Sequence, residues 1–453
     1  MAERFHYTQR TRRTCVDNQV LYEQAGQVNR ALERYGVKFG VYKNGEFHEQ
    51  LFPFDALPRV IPADQFVRLE QGLIQRVCAL NLFLSDIYSK RCILRDGVIP
   101  PEFIYSSKGF LLACQGIRPP QDVYTHISGI DLVEAPDGWY VLEDNLRVPS
   151  GASYPMIARE LMRRSIPALF EENHVRENRN YAGLLTNMFA EVQCPGVVVV
   201  LTPGRYNSAF FEHAYLAEKT GATLAFPEDL EVEGDVVYYR SFDGKKQRVG
   251  AIYRRVSDEF LDPLLFDEHS VIGVPHLMEA YRKGNVALIN APGNGVADDK
   301  GTYSFVPKMI RYYLGEEPIL QNAPTYVPYY EQDKAYILAH LDRLVIKDVS
   351  EAGGYGVVFG RDLSTTQREE LRQAILAKPR RFIAQEVIDF NDLGVWLDGK
   401  EVPRKADFRA FVVHGRDIRV WHSGLTRYAL QAGSFVVNSS QGGGFKDTWV
   451  LYR

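Results

Sequence analysis

The sequence predicts a mixed α+β and α/β protein of two or three structural units, and three stretches carry that expectation. At residues 197–226 an aliphatic run, a helix-like segment and a second short β-rich run follow one another, the order of a parallel βαβ unit. At residues 104–145 short β-rich pieces are separated by Pro119-Pro120 and by Pro136, Asp137 and Gly138, which reads as strands joined by turns. At residues 344–387 a strand ending in Ile346 and Lys347 leads into a glycine-rich loop, a helix and another strand. A chain of 453 residues exceeds one ordinary hydrophobic core.

Taken in order, residues 1–30 read as a polar N-terminal arm, and its basic cluster, Arg10 with Arg12 and Arg13, as a solvated tail. The first unit spans 31–190. Its residues 65–90 predict a helix, because Phe66, Leu69, Leu73, Val77, Leu80 and Leu84 fall on one stripe. Residues 139–142 form a strand entered through a turn, and a helix is expected near 156–169. The second unit, 191–290, predicts a strand at 197–201, a helix at 208–220 and a strand at 223–226, with further strands near 236–239 and 248–254. A small Rossmann-like layer results, and the loop at 203–208 belongs at its ligand-binding edge. The third unit, 291–453, predicts a helix near 303–314 and a helix over 364–377 opened by Ser364, with Gln367 three residues later as in a capping box. A strand at 382–387 and paired strands between 408 and 437 complete it.

Composition narrows the function. The net charge of −4 gives no reason to expect nucleic acid as a partner. Cys15, Cys78, Cys92, Cys114 and Cys194 are odd in number and contain no CxxC pair, so neither a disulfide framework nor structural zinc is expected, and a reducing cytoplasm is the expected compartment. The first thirty residues hold no apolar signal segment. The longest aliphatic run, Val197 to Leu201, is far too short to span a bilayer. GxSxG and HExxH patterns are absent, and the histidines in apolar segments, His126 and His422, read as packing or surface groups.

Four constellations carry chemistry. Glu143 and Asn145 close the predicted strand at 139–142 and point to one side of it; Asp131 lies twelve residues upstream, on the partner strand of a hairpin turning at Pro136 to Gly138. The set is either a polar strand end or a group of hard oxygen ligands of the kind magnesium accepts when phosphates complete its shell. Lys347 precedes Glu351, Gly353, Gly354 and Gly356, either an ordinary connection or a lysine and backbone N–H groups that approach phosphates; the spacing is neither GxxxxGK[ST] nor GxGxxG. Gln385, Glu386 and Val387 lie in an apolar strand, as an edge facing solvent or as polar groups against an adenine ring. Last, Arg404, Asp407, Arg409, Arg427, Asn438 and Lys446 lie on or beside predicted strands, as a salt-bridge ladder, the better reading for Arg404, or as cations directed at a phosphoryl group.

Together these residues resemble the circularly permuted ATP-grasp family, type 2, itself similar to glutathionylspermidine synthetase and eukaryotic glutathione synthetase. The resemblance runs from about residue 35 almost to the end. It rests on residues 52–59 (FPFDALPR), 129–133 (GIDLV), 142–151 (LEDNLRVPSG), 206–209 (YNSA), 295–300 (GVADDK), 310–318 (IRYYLGEEP), 351–356 (EAGGYG), 424–427 (GLTR), 437–444 (VNSSQGGG) and 446–449 (KDTW). It implies a permuted ATP-grasp fold with a Rossmann-like central unit, since the E-x-N pair that comes late in ordinary ATP-grasp chains here precedes Lys347. By similarity, ATP and Mg²⁺ are the cofactors, and Asp131, Glu143, Asn145 and Glu351 match metal ligands. Lys300, Lys347, Gly353, Gly354, Gln385, Glu386, Val387, Asn438 and Lys446 belong to the nucleotide site. Ser150, Tyr206, Asn207, Ser208 and Arg427 are expected to hold substrates. One departure stands out. In glutathionylspermidine synthetase an arginine lies two residues before the first metal aspartate, where this chain has Gly129. The arginine that faces the transferring phosphoryl group is then expected from elsewhere, with Arg409 and Arg147 as candidates beside Lys347.

The resemblance implies a ligase for a small-molecule or peptide carboxylate and an amine, working through an acylphosphate, with neither nucleic acid nor membrane as partner. Two rivals share the nucleotide site: a phosphotransferase, which would release ADP with a stable phosphorylated product, and a non-catalytic nucleotide-binding module. The complete set of metal-ligand types speaks against the last.

Overall fold

Residues 127–135 and 400–414, far apart in the chain, lie side by side in one sheet of a computed structural model that describes residues 18–43, 46–349, 356–397, 399–435, 437 and 443–452. That sheet has eight strands. Its order is Gln321–Asn322, Gly138–Asn145, Ile127–Ala135, Lys400–His414, Ile418–Tyr428, Gly444–Val450 and Phe54–Ile61, with Asp392–Leu397 also pairing Lys400–His414. The pairings are antiparallel except at the two ends, where Gln321–Asn322 and Phe54–Ile61 join in parallel. The early hairpin is therefore flanked on both sides by strands from the second half of the chain.

The helix predicted at 65–90 is Ala63–Ile87. Pro62 precedes it and has no N–H to leave unsatisfied at a helix start. All six stripe residues, Phe66 through Leu84, are at most 1% exposed. They pack with the eight-stranded sheet and the Val306–Leu314 helix in the largest core, where truncating one such leucine costs about 2–5 kcal/mol.

The central section forms a six-stranded sheet. Thr223–Ala225, Val197–Leu201, Lys246–Arg254 and Ala287–Ile289 are parallel neighbours in that order, and Val236–Arg240 with Leu230–Glu233 extend it antiparallel. The crossover helix is Phe210–Thr220. The βαβ order of the sequence is thus present. The short strands Leu230–Glu233 and Ala287–Ile289 are additions that alternation did not reveal.

A four-stranded antiparallel sheet, Thr325–Tyr326, Phe382–Glu386, Leu344–Asp348 and Val357–Phe359, carries Lys347. Beneath it the Thr365–Ala377 helix packs Ile375 into a small separate core with Ile337, Leu344, Ile346 and Phe382. Its start is the capping box expected: Ser364 Oγ accepts from Gln367 N at 3.3 Å, and Gln367 Oε1 accepts from Ser364 N at 2.9 Å.

Two predicted helices are each divided. The one expected at 156–169 is Ser153–Ser165 followed by Pro167–Glu172, because Pro167 drives Ile166 out of the helical region, to φ −138° and ψ 66°. The one expected at 303–314 is Lys300–Tyr303 and then Val306–Leu314, with Pro307 in the first turn of the second. Among the described residues no helix is long and apolar enough to cross a membrane, and Cys78, Cys92, Cys114 and Cys194 are free thiols.

Candidate functional site

The hairpin places Asp131 directly opposite Glu143 and Gly129 opposite Asn145. Alternation then sorts the Glu143-Asp144-Asn145 triplet. Asp144 points inward, 3% exposed, and both its oxygens accept from Arg76, Nε and Nη2 each at 2.6 Å; it is structural. Glu143 and Asn145 emerge half-buried on the other face. There Asn145 Nδ2 lies 3.3 Å from Glu143 Oε1 and 3.4 Å from Asp131 Oδ2, so two carboxylates and a carboxamide converge.

Cations surround the aspartate. Arg409, opposite Asp131 on the next strand, donates Nε to Oδ1 at 2.6 Å and Nη2 to Oδ2 at 2.8 Å, a bidentate pair. Arg427 donates Nη2 to Asp131 Oδ2 at 2.9 Å and Nε to Asp407 Oδ1 at 2.9 Å. Burial would raise the Asp131 pKa, but Arg409 and Arg427 outweigh it and hold the carboxyl well below the usual range. Asp407 shares one arginine, and burial together with the Asp131 charge pushes it up to about 6. Burial acts to depress the Arg427 pKa and is outweighed by Asp131 and Asp407, which raise it. Among the described residues no cation forms an ion pair with Glu143.

Gly129 lies beneath the stem of Arg409. A Cβ there would sit 2.8 Å from Pro149 Cβ and 3.3 Å from Arg409 Cδ, so the space above Gly129 is filled by Pro149 and the stem of Arg409. Arg147, the other candidate, donates Nε to Asp298 Oδ2 at 3.2 Å, and the same oxygen takes the backbone N–H groups of Leu146 and Arg147 at 3.0 and 3.1 Å.

Lys347 lies on Leu344–Asp348 of the four-stranded sheet, paired with Val357 and Ile383. Burial pushes its amine down to about 8; Glu143 and Asp131 counteract that, while Lys300 adds to it. One lysine thus feels both carboxylates of the hairpin and a second cation. Lys300 is the first residue of its short helix, behind the N-cap Asp299.

The remaining expected residues are dispersed. Gln385 is buried and donates Nε2 to Thr325 Oγ1 at 3.0 Å. Glu386 accepts from Tyr336 and Tyr326 hydroxyls at 2.7 and 3.2 Å, and Val387 follows the strand end, partly exposed. Lys446 is fully buried; its amine pairs with Asp55 and donates to the Leu57 carbonyl at 2.8 Å, so its contacts lie within the sheet. Among the described residues Arg404 forms no ion pair: Nε donates to the Leu430 carbonyl and Nη1 to that of Pro403. Tyr206 is 84% exposed, with Asn207 Oδ1 capping Ala209 N at 2.9 Å and Ser208 half-buried beside it. Ser150, Arg409 and Arg427 line a small cleft with Tyr154, Ala209 and Glu212. Glu351, Gly353, Gly354 and Asn438 lie outside the described residues.

Sequence reasoning missed Glu212. It is 4% exposed and takes Gly151 N, Ser153 N and Ser153 Oγ at 2.8–3.0 Å, fixing the segment that bears Ser150. A lone glutamate in a helix start gave no signal.

A mixed sheet bearing paired acidic strands, faced by a lysine-bearing antiparallel sheet and flanked by a Rossmann-like layer, is the architecture of the ATP-grasp class. The chain belongs to the circularly permuted ATP-grasp family, type 2, whose model matches residues 58–429. It is 46% identical over 93% of its length to an uncharacterised Synechocystis protein, of which the match covers 89%, and 45% identical over 96% of its length to an uncharacterised Mycobacterium tuberculosis protein, of which it covers 79%. A Frankia alni protein provisionally named glutamate–cysteine ligase 2-3 is 41% identical, but the match spans only 50% of that protein. Among solved structures, the glutathione synthetase-like effector of Globodera pallida, in apo form, aligns over 96% of this chain and 98% of its own with a TM-score of 0.59 and 12% identity, a likeness of fold.

The family implies magnesium. Among the described residues no three His, Cys, Asp or Glu side chains gather to hold an ion. The donors present are instead two carboxylates and a carboxamide whose oxygen and nitrogen exchange by a flip, and magnesium commonly takes one or two carboxylates with substrate phosphates. The residues fit that role in kind.

Proposed function

We propose that the protein is an ATP- and Mg²⁺-dependent ligase that joins a carboxylate to an amine through an acylphosphate. The observation that carries this is the convergence of Asp131, Glu143 and Asn145 on one sheet with Lys347 on another, close enough that the hairpin carboxylates act on the lysine's charge. Asp131, Glu143 and Asn145 would hold the magnesium ion, which would supply positive charge against that of the phosphates. A carboxylate approaching a triphosphate meets repulsion, and this chain answers it with Lys347, Lys300 and the guanidinium of Arg409. Asp131 holds Arg409 and Arg427 in fixed orientations, so little reorganisation accompanies transfer.

The cleft edged by Ser150, Arg409 and Arg427 is the place for the reacting carboxylate, with the Tyr206–Ser208 loop, exposed at Tyr206, leading into Ala209 at its edge. In the same reading the central unit, about 191–290, supplies substrate contacts, while 31–190 and 291–453 together form the nucleotide site. Glu351 and the glycines after it would cover the phosphates, excluding water from the acylphosphate.

The test is ADP release with pooled amino acids, peptides and polyamines, followed by mass spectrometry. ADP formed only when a carboxylate and an amine are both present, with a product equal to their sum less water, supports the ligase. A stable phosphorylated single substrate overturns it for a phosphotransferase.

A further inference from the structure

Residues 295–300, GVADDK, contribute two aspartates that no role above absorbs. Asp298 Oδ2 takes the N–H groups of Leu146 and Arg147, the residues directly after Asn145, and also Arg147 Nε. Asp299 turns the other way. Its Oδ1 caps the helix that starts at Lys300, accepting Gly301 N at 2.7 Å. Its Oδ2 accepts Ser107 Oγ at 2.8 Å and Arg380 Nη2 at 3.1 Å.

Arg380 lies just before the Phe382–Glu386 strand of the four-stranded sheet and reaches out of it. Besides Asp299 it donates Nη2 to the Phe103 carbonyl at 2.9 Å and Nε to Ser106 Oγ at 3.1 Å, and its guanidinium sits 4.7 Å from the centre of the Phe103 ring. Arg381, its neighbour, turns back and pairs with Asp348 at 2.6 Å, the residue after Lys347. Gly301 leaves the space this requires: a Cβ there would lie 2.7 Å from Arg380 Nη1 and 3.0 Å from Asp299 Oδ1.

We propose that Asp298 and Asp299, with Arg380, form a yoke that sets the distance between the Glu143–Asn145 strand end and Lys347, and that all three are positioning residues for phosphoryl transfer. The inference rests on the function proposed above for its kinetic consequence, but the yoke itself is a property of the protein alone. One carboxylate is fastened to the end of the acidic hairpin, the next to the corner of the lysine-bearing sheet. Both partners of the Asp299–Arg380 pair are largely shielded from water, with side chains 9% and 19% exposed, so the contact is screened less than a surface pair. Lys300, next in sequence, is oriented by the same cap.

The experiment uses the full chain without nucleotide first. In Arg380→Ala, amide hydrogen exchange at residues 300–303 and 103–106 should rise about tenfold or more while the global unfolding temperature holds, as for a local opening. With Mg-ATP and a turned-over substrate pair, kcat should then fall about a hundredfold, the order expected for a misplacement near 1 Å, with KM changed far less. Arg380→Lys should recover part of kcat, and Gly301→Ala, which removes no charge, should reproduce the loss by wedging the pair apart. Should Arg380→Ala fail to fold, Gly301→Ala and Arg380→Lys decide. Unchanged exchange in a folded variant overturns the yoke, and raised exchange with unchanged kcat overturns its positioning role. If the wild-type protein neither binds nor uses Mg-ATP, the functional proposal fails while the exchange result still decides whether the yoke exists.

Discussion

Arg409 holds both carboxylate oxygens of Asp131 from the neighbouring strand, and its stem occupies the space that a side chain at Gly129 would need. The two facts are linked: a side chain at position 129 would crowd Pro149 first and then the Arg409 stem that lies across the strand. In the function proposed here, Arg409 supplies across the sheet the charge that the resemblance to glutathionylspermidine synthetase leads one to expect at position 129.

Gly129→Ala should therefore act on Arg409. A Cβ forced to 2.8 Å from Pro149 costs about 1–3 kcal/mol as overpacking and dislodges the guanidinium. Thermal unfolding should show that loss, and ADP formation should drop further than stability alone explains. Arg409→Lys should also impair turnover, since a lysine keeps the charge but not the two-pronged grip.

Asp131→Asn should be far more damaging to the fold than Glu143→Gln. Asp131, 4% exposed, neutralises the buried guanidinium of Arg427 and the partly buried one of Arg409, and removing one partner of a buried pair costs about 3–5 kcal/mol. Glu143 has no ion-pair partner among the described residues. Denaturant titration of both variants checks the contrast; equal losses would contradict it.

The hairpin was legible because its signals are local. A turn at Pro136 to Gly138 and a twelve-residue spacing mark Asp131 and Glu143 as hairpin neighbours, although a bulge at Leu142 is what sets them directly opposite, and the βαβ order and the Ser364 cap are likewise written within a few residues. Lys446 was not legible in the same way. A cation beside a strand reads as a phosphate ligand until the fold supplies Asp55, 391 residues away. The asymmetry is physical: hydrogen-bonded neighbours within a hairpin are set by the turn, whereas neighbours across a sheet are set by the path of the whole chain. Pro167 and Pro307 were visible, but hydrophobic periodicity on both sides obscured the breaks they impose. Asp298 and Asp299 stood in a quoted stretch, yet nothing local marks Arg380 as a partner.

Lys347 should give nucleotide binding a pH dependence. With its amine held at about 8, the cation is present below that value and lost as pH rises through it, so Mg-ATP affinity should weaken above about pH 8. Lys347→Ala should remove that dependence and lower transition-state stabilisation by about 2–4 kcal/mol. Calorimetry across pH 7–9.5 and ADP formation measure the two effects.

His126 should make the fold acid-sensitive. It is fully buried, and neither ring nitrogen has a hydrogen-bond partner among the described residues. Burial, then His414 and Arg254, push its pKa down to about 3. Between that value and about 6.5 the unfolded chain binds the extra proton, so stability falls as pH falls, by about 2 kcal/mol between pH 7 and 5 from this group. In His126→Phe the pH 5 to 7 difference in unfolding free energy should shrink by that amount; an unchanged difference would contradict the assignment.

The central claim is that the early acidic motif binds nucleotide through magnesium, and calorimetric titration of Mg-ATP into wild-type protein and Glu143→Gln, each with and without chelator, tests it most directly. The account predicts that wild-type affinity falls when magnesium is removed, and that Glu143→Gln loses this magnesium-dependent part while unfolding at the wild-type temperature. The same Mg-ATP affinity in a folded Glu143→Gln would contradict it.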